Sequence, residues 1–330
     1  MKKILQYLFE YKTLSREKAK EILVNMSRGQ YNESEMSAFI TVFLMRSITI
    51  EELQGFSDAL LELCVKVDLG DHKVLDIVGT GGDGKNTFNI STLSCFIVAG
   101  AGQKVAKHGN YGASSISGAS NVMEQLGYTF KNDTERLKNE LEASNICFLH
   151  APLFHPALKI VGPIRKNLGV RTFFNMLGPM VNPSFPKNQL VGVFSLELAR
   201  MYSYLYQSTN VNFCILHGLD GFDEISLTDE TKVISRTTET ILKPSSFNLE
   251  KQLLEDIKGG ETIEESANIF YAVISGKGTQ AQNNVVLANA GLAIATIENT
   301  SILVGFEKAK ESLFSGKAVE KLTKLQQLSK

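Results

Sequence analysis

The stretch VLDIVGTGGDGKNTFNIST, Val74 to Thr92, gathers residue types that can do chemistry on a phosphate. Gly79, Gly81 and Gly84 stand in G-x-G-x-x-G spacing, and Gly79, Gly84 and Lys85 stand as in a phosphate-binding loop that stops at Asn86. Both familiar readings lack their second element. A dinucleotide fold wants an acid about 20 residues further on to hold a ribose hydroxyl, and AGAGQKVAKHG supplies none. A P-loop wants Ser or Thr after its lysine to ligate magnesium. What remains is glycine main chain able to approach a phosphate closely, then NIST, which opens a helix. Its free amides and the hydroxyls of Ser91 and Thr92 form an anion cradle with a metal-capable oxygen. The same glycines also read as a tight turn. Asp83 would repel a phosphate, so it suits a sugar hydroxyl, a cation, a loop amide or simply an Asx-turn. A second stretch, KHGNYGASS, sets Lys107 beside small residues, Ser114 and Ser115, which suits a second phosphate as well as it suits a solvated lysine.

Such loops need elements to hold them. Up to about Val67 the apolar spacing is helical, in AKEILVNM, MSAFITVFLM and LQGFSDALLELC. Asn32 three before Glu35, and Thr49 three before Glu52, predict capped helix starts. After DLGDH the pattern changes to short β-branched runs, each followed by a helical segment: VLDIV, KVAKHG, ICFLHA, LVGVF, NFCILHG and IFYAVIS. This alternation predicts a mostly parallel central sheet flanked by helices, in an α/β domain larger than the all-helical one. Ligands of such sheets sit beyond the carboxyl ends of strands, which singles out GTGGDG, KHGNYGASS, HAPLFHP and HGLDGFDE. The segment 164–183, a helix and a Pro-rich turn, is expected to return to the helical unit. The expected domains are therefore 1–70 with 164–183, and 71–163 with 184–330.

The 330 residues carry 34 Lys and Arg against 35 Asp and Glu, a formal charge of -1. No run of like charge suggests a nucleic-acid face or a membrane anchor, so any anion site must be local. The amino terminus MKKILQYLFEYKTLSREKAK is interrupted by charges too soon for a signal peptide or a membrane span. Cys64, Cys95, Cys147 and Cys214 lie far apart without C-x-x-C spacing, which argues against disulfides and zinc and fits a reducing cytoplasm.

With GTGGD, NIST, KHGN and LGPMVNP in order along nearly the whole length, the chain resembles the anthranilate phosphoribosyltransferase family of tryptophan biosynthesis, in class III of the nucleoside phosphorylases and phosphoribosyltransferases. The resemblance implies a Mg2+-dependent pentosyltransferase that moves a 5-phosphoribosyl group from phosphoribosyl pyrophosphate to the amine of anthranilate. It implies a homodimer formed through the helical domain and association with a glutamine amidotransferase of the anthranilate synthase type. Around phosphoribosyl pyrophosphate it places Gly79, Gly82, Asp83 and Thr87, then Asn89, Ile90, Ser91 and Thr92. From the second loop it adds Lys107, His108, Gly109, Asn110, Ser114, Ser115 and Ala119. Ser91, Asp223 and Glu224 become the metal residues; adjacent acids are commonly a hydrated turn, yet magnesium takes carboxylates together with phosphate oxygens and water.

For anthranilate the resemblance implies Gly79, Asn110 and Arg165, with His155 nearby. Arg165 can clasp a carboxylate through two parallel hydrogen bonds, and it could equally pair with a helix neighbour. His155 and His108 read as readily as structural histidines. No residue stands out as a general base. The sequence departs from the family at Tyr111-Gly112, Ile116, Ala119 and Asn283-Asn284. Two rivals are a pyrimidine nucleoside phosphorylase-like enzyme, which shares the fold with different versions of both loops, and a non-catalytic relative that binds nucleic acid.

Overall fold

The computed structural model describes residues 1–112 and 116–329. Two compact units form, Met1–Val67 with Ala151–Phe185, and Asp68–His150 with Pro186–Lys330. The segment that joins the first unit begins at Ala151 and ends at Phe185, so it starts earlier than the expected Ile164 and takes in one more helix together with the first half of the next.

The first unit is helical: α1 (Lys2–Phe9), α2 (Arg16–Ser27), α3 (Glu33–Met45), α4 (Ile50–Leu63), and from the later segment α8 (Ala151–Phe154) and α9 (Pro156–Leu168). Both anticipated caps are present. Asn32 Oδ1 accepts from the Glu35 amide at 2.9 Å while Glu35 reaches back to the Asn32 amide, and Thr49 and Glu52 do the same for α4. Glu52 is fully buried, and it also accepts from Arg46 and from the Leu14 amide. A buried charge is tolerable only when its oxygens are satisfied in this way. Phe39, Phe43, Phe56 and Phe173 pack edge to face and stacked around one point, with Phe56 and Phe173 at a centroid separation of 4.4 Å.

The second unit is built on a seven-stranded sheet of order β3-β2-β1-β4-β5-β6-β7. Its strands are β1 (Leu75–Gly79), β2 (Val105–Gly109), β3 (Ile146–His150), β4 (Asn188–Gly192), β5 (Asn212–Gly218), β6 (Thr231–Ser235) and β7 (Glu239–Leu242). β1 to β5 run parallel, and β6 and β7 add an antiparallel edge. Its helices are α5 (Ile90–Gly100), α6 (Ala119–Gln125), α7 (Thr134–Ser144), α10 (Leu196–Gln207), α11 (Ile263–Ile274), α12 (Gln280–Glu298), α13 (Ile302–Phe314) and α14 (Lys317–Ser329). Buried α5 and α12 share one apolar core with the strands.

One expected strand is a helix. IFYAVIS falls in α11, because Thr262 caps the Glu265 amide and Ala267, Phe270, Val273 and Ile274 recur at helical spacing toward the core. No single described helix is long and apolar enough to cross a membrane, although α12 and α13 pass that test together as a pair bent by 119°.

Candidate active site

The sheet reverses its strand order between β1 and β4, and crevices at such switch points are where open parallel sheets take ligands. Gly79 ends β1, Gly192 ends β4, and the two are direct register partners. The pairing continues one residue further, with the Thr80 amide donating to the Gly192 carbonyl at 2.9 Å. Asp223, from the turn after β5, sits on this pair. A Cβ on Gly79 would fall on Asp223 Oδ2, and a Cβ on Gly192 would fall on the Asp223 carbonyl oxygen. Glycine is required at both places for close approach. Gly81, Gly82 and Gly84 have positive φ, so the following loop turns where side chains would strain it.

The acids meet the loop through its amides. Asp223 Oδ2 accepts from the Gly81 amide at 2.7 Å, and Glu224 Oε1 accepts from the Ser91 amide at 2.9 Å. Thr87 Oγ1 lies 3.5 Å from Glu224 Oε2. Asn89 precedes α5 without capping it and sends Nδ2 to the Ser117 carbonyl at 3.0 Å, so Glu224 does the capping. Asp83 Oδ1 accepts from the Lys85 amide at 3.0 Å, an Asx-turn, and its carboxyl acts electrostatically on Asp223. Lys85 places its ammonium 4.8 Å from the Phe222 ring centre.

Burial, followed by the charge of Asp83, pushes Asp223 up to about 7. Burial and then the charge of Asp223 hold Glu224 well above the carboxylate range, and burial raises Asp83 as well. Lys107 lies beneath, 2% exposed, with Nζ 2.7 Å from the Ile77 carbonyl and 3.4 Å from Ser91 Oγ. Among the described residues no three His, Cys, Asp or Glu side chains form a ready metal cluster. Acids that raise one another beside a hydroxyl and helix-start amides do fit a cation that brings its own phosphate and water ligands.

The other expected residues fall as follows. Ile90 and Thr92 are buried in α5, with the Ile90 side chain in the core. His108 is buried, and its amide donates to Asp76 at 3.2 Å. Gly109 ends β2, Asn110 is exposed just beyond, and Ala119 begins α6. Ser114 and Ser115 lie outside the described residues.

In the helical unit, Arg165 is half-buried on α9. Its guanidinium is 5.3 Å from the Phe174 ring centre, with Nη2 3.5 Å from Asn175 Oδ1. Burial alone lowers its pKa, since no described acid offsets its charge. His155 is 1% exposed against the Leu60 and Val181 backbone, and burial drops it to about 4.

Sequence reasoning passed over Gly192 and Thr80, whose buried hydroxyl has no partner among the described residues. The available signal for Gly192 was a glycine inside the strand run LVGVF, a mark of close backbone approach.

Models of the glycosyl transferase family match the chain, the helical bundle domain over residues 2–64 and the α/β domain over residues 71–319. The chain is 64% identical over 329 residues to the anthranilate phosphoribosyltransferase of Flavobacterium johnsoniae and 55% identical over 330 residues to that of Bacteroides fragilis, covering all of both chains in each case. The crystal structure of the Thermus thermophilus enzyme superposes with a TM-score of 0.91 at 31% identity, over 98% of each chain. The Saccharomyces cerevisiae enzyme in complex with PRPP and Mg gives 0.91 at 30% identity, over 98% of this chain and 96% of that one. From the paired strand-end glycines to the full-length matches, the chain belongs to the anthranilate phosphoribosyltransferase family.

Proposed function

We propose that this protein transfers the 5-phosphoribosyl group of phosphoribosyl pyrophosphate to the amine of anthranilate, releasing pyrophosphate, in tryptophan biosynthesis. The observation that carries the reading is Asp223 seated on Gly79 and Gly192 at the switch point, with its carboxylate on the Gly81 amide and that of Glu224 on the Ser91 amide. Asp223, Glu224 and the Ser91 hydroxyl would hold Mg2+, whose charge neutralises the departing pyrophosphate. The relative from Saccharomyces cerevisiae solved with PRPP and Mg supports the use of Mg2+ with this donor.

The glycine loop from Gly79 to Asp83, Thr87 and the start of α5 at Asn89 bind the phosphoribosyl donor, together with Lys107 and Asn110. Two of the donors in this loop are already engaged. The amides of Gly81 and Ser91 reach phosphate oxygens only as the two carboxylates leave them, which ties anion binding to metal binding. Lys107, buried under Ser91, brings its Nζ to 3.4 Å from the Ser91 hydroxyl. The aromatic amine of anthranilate is neutral at pH 7 and attacks without a general base, so catalysis rests on positioning and on stabilising charge as the C1–oxygen bond breaks.

Arg165, half-buried without an acid partner, holds the carboxylate of anthranilate. Asn110 holds its amine side, and His155 shapes the segment before α9. The compound 4-fluoroanthranilate, bound to the Saccharomyces cerevisiae enzyme, supports an aromatic acid as acceptor.

The protein acts as a homodimer through its helical domain, a reading supported by exposed Phe9, Tyr11 and Met45 on that unit. Four buried unpaired cysteines support a cytoplasmic setting. Association with a glutamine amidotransferase rests on the resemblance alone. Mass spectrometry of a reaction with phosphoribosyl pyrophosphate, Mg2+ and anthranilate tests the reading. It predicts phosphoribosyl anthranilate and pyrophosphate in equal amounts; phosphorolysis of thymidine or uridine without that product would replace it with a nucleoside phosphorylase.

A further inference from the structure

We propose that Asn121 is a positioning residue for the acceptor amine, acting through the main chain that carries Asn110. The inference rests on the function proposed above.

Asn121 stands third in α6, where its Oδ1 accepts from the Gly118 amide at 3.0 Å. That bond alone would make it one half of a capping box, the side chain of the third helical residue reaching back to the N-cap amide. The same oxygen also accepts from the Gly112 amide at 3.0 Å, nine residues back along the chain. Capping has no need of this second bond. It ties the start of α6 to the stretch that leaves β2, two residues beyond Asn110.

Three further contacts converge on that stretch. The Ser120 amide donates to the Asn110 carbonyl at 3.2 Å. The Tyr111 hydroxyl donates to Glu124 Oε1 at 2.9 Å, one turn further along α6. A Cβ on Gly118 would fall on the Gly112 amide nitrogen and 2.6 Å from the Tyr111 carbonyl carbon, so the two backbones pass with no room for a side chain. Asn110 itself is exposed and turns its own Oδ1 to the Tyr111 amide at 2.8 Å. Its placement therefore depends on where the 110–112 backbone is pinned, and Asn121 joins the far end of that backbone to α6, beside the bonds made by Ser120 and Glu124. An asparagine can do this because one side-chain carbonyl oxygen has two lone pairs and accepts both amides.

The test uses three variants of the full-length enzyme, with melting curves read alongside kinetics. Asn121→Asp keeps an oxygen for both amides and is expected to stay within about threefold of wild type in kcat and in both KM values. Asn121→Leu keeps the shape without an acceptor, while Gly118→Ala keeps Asn121 but forces the same backbones apart. Each of these two is expected to lower kcat/KM for anthranilate by about tenfold or more, through misplacement of the nucleophile. Metal-dependent pyrophosphate binding, read by calorimetry, should move by less than about threefold in both, because the groups assigned to metal and pyrophosphate, Asp223 and Glu224 with the Gly81 and Ser91 amides, bond neither Asn121 nor Gly118.

The proposal is overturned if Asn121→Leu has wild-type kinetics, if Asn121→Asp is as damaging as Asn121→Leu, or if pyrophosphate binding falls in step with anthranilate use. If Asn121→Leu does not fold, Asn121→Ala, which also removes the acceptor, takes its place with the same expected and overturning results. A wild-type enzyme that leaves anthranilate unchanged would defeat the proposed function instead, before any variant is compared.

Discussion

Substituting Gly192 by alanine puts the account under direct strain, because nothing about this residue is chemical. Its added methyl would fall on the carbonyl oxygen of Asp223, far inside the roughly 3.5 Å at which carbon and its neighbours pack. The oxygen belongs to main chain between Phe222, which is buried in the core, and Glu224, which caps α5. It cannot swing aside as a side-chain end would, so the Asp223-Glu224 turn must shift by on the order of 1 Å. Overpacking of this kind costs about 1–3 kcal/mol, which lowers the melting temperature by a few degrees in a unit of this size. Misplacement by about an ångström costs up to about 100-fold in rate, so activity should fall far more than stability. Steady-state kinetics with phosphoribosyl pyrophosphate and Mg2+ varied in turn, on protein shown to be folded, measures the split. A folded Gly192→Ala enzyme with wild-type kcat and wild-type Mg2+ dependence would refute the placement of Asp223 at the reacting end of the sheet.

Other outcomes follow from the same geometry. Glu224→Ala frees the Ser91 amide, so metal-free pyrophosphate should bind about tenfold more tightly than to wild type, given ~1.5 kcal/mol for a hydrogen bond to a charged group; calorimetry showing no gain would mean the Glu224 carboxyl does not compete with phosphate. Arg165→Ala should raise KM for anthranilate by about tenfold or more and leave that for phosphoribosyl pyrophosphate nearly unchanged, whereas equal weakening of both would assign Arg165 to structure. His155 binds a proton below about 4 in the fold and near 6.5 when unfolded. The unfolded state therefore gains protons first as pH falls from about 6.5 toward 4, and stability drops by up to about 3 kcal/mol across that window. Denaturant titrations of His155→Gln should show a flatter pH slope there, and an unchanged slope would place the effect elsewhere.

The parts of this structure that local chemistry determines were legible in the sequence. The caps at Asn32 and Thr49 need only a side chain three residues from an acid, and both form. The five parallel strands announce themselves as short β-branched runs with polar or glycine exits. The antiparallel edge was not legible, because β6 offers only Val233 and Ile234 between polar residues and the four residues of β7 are largely exposed. IFYAVIS shows the opposite failure, since a short apolar run fits a buried strand or a buried helix until its capping threonine is weighed. At the candidate site, the glycine loop and the acids after β5 can be read as separate strand exits. Their meeting cannot, because it depends on the register that sets Gly79 beside Gly192 and on a turn that lays Asp223 across both.

The most direct measurement follows the fluorescence of anthranilate after phosphoribosyl pyrophosphate is added to the wild-type enzyme, with Mg2+ and with the metal chelated, and then to the Asp223→Asn, Glu224→Gln double variant. The account predicts complete loss of fluorescence only for wild type with metal, and none with chelator or with the folded double variant. Loss of fluorescence that is indifferent to chelation and to both acids would contradict it.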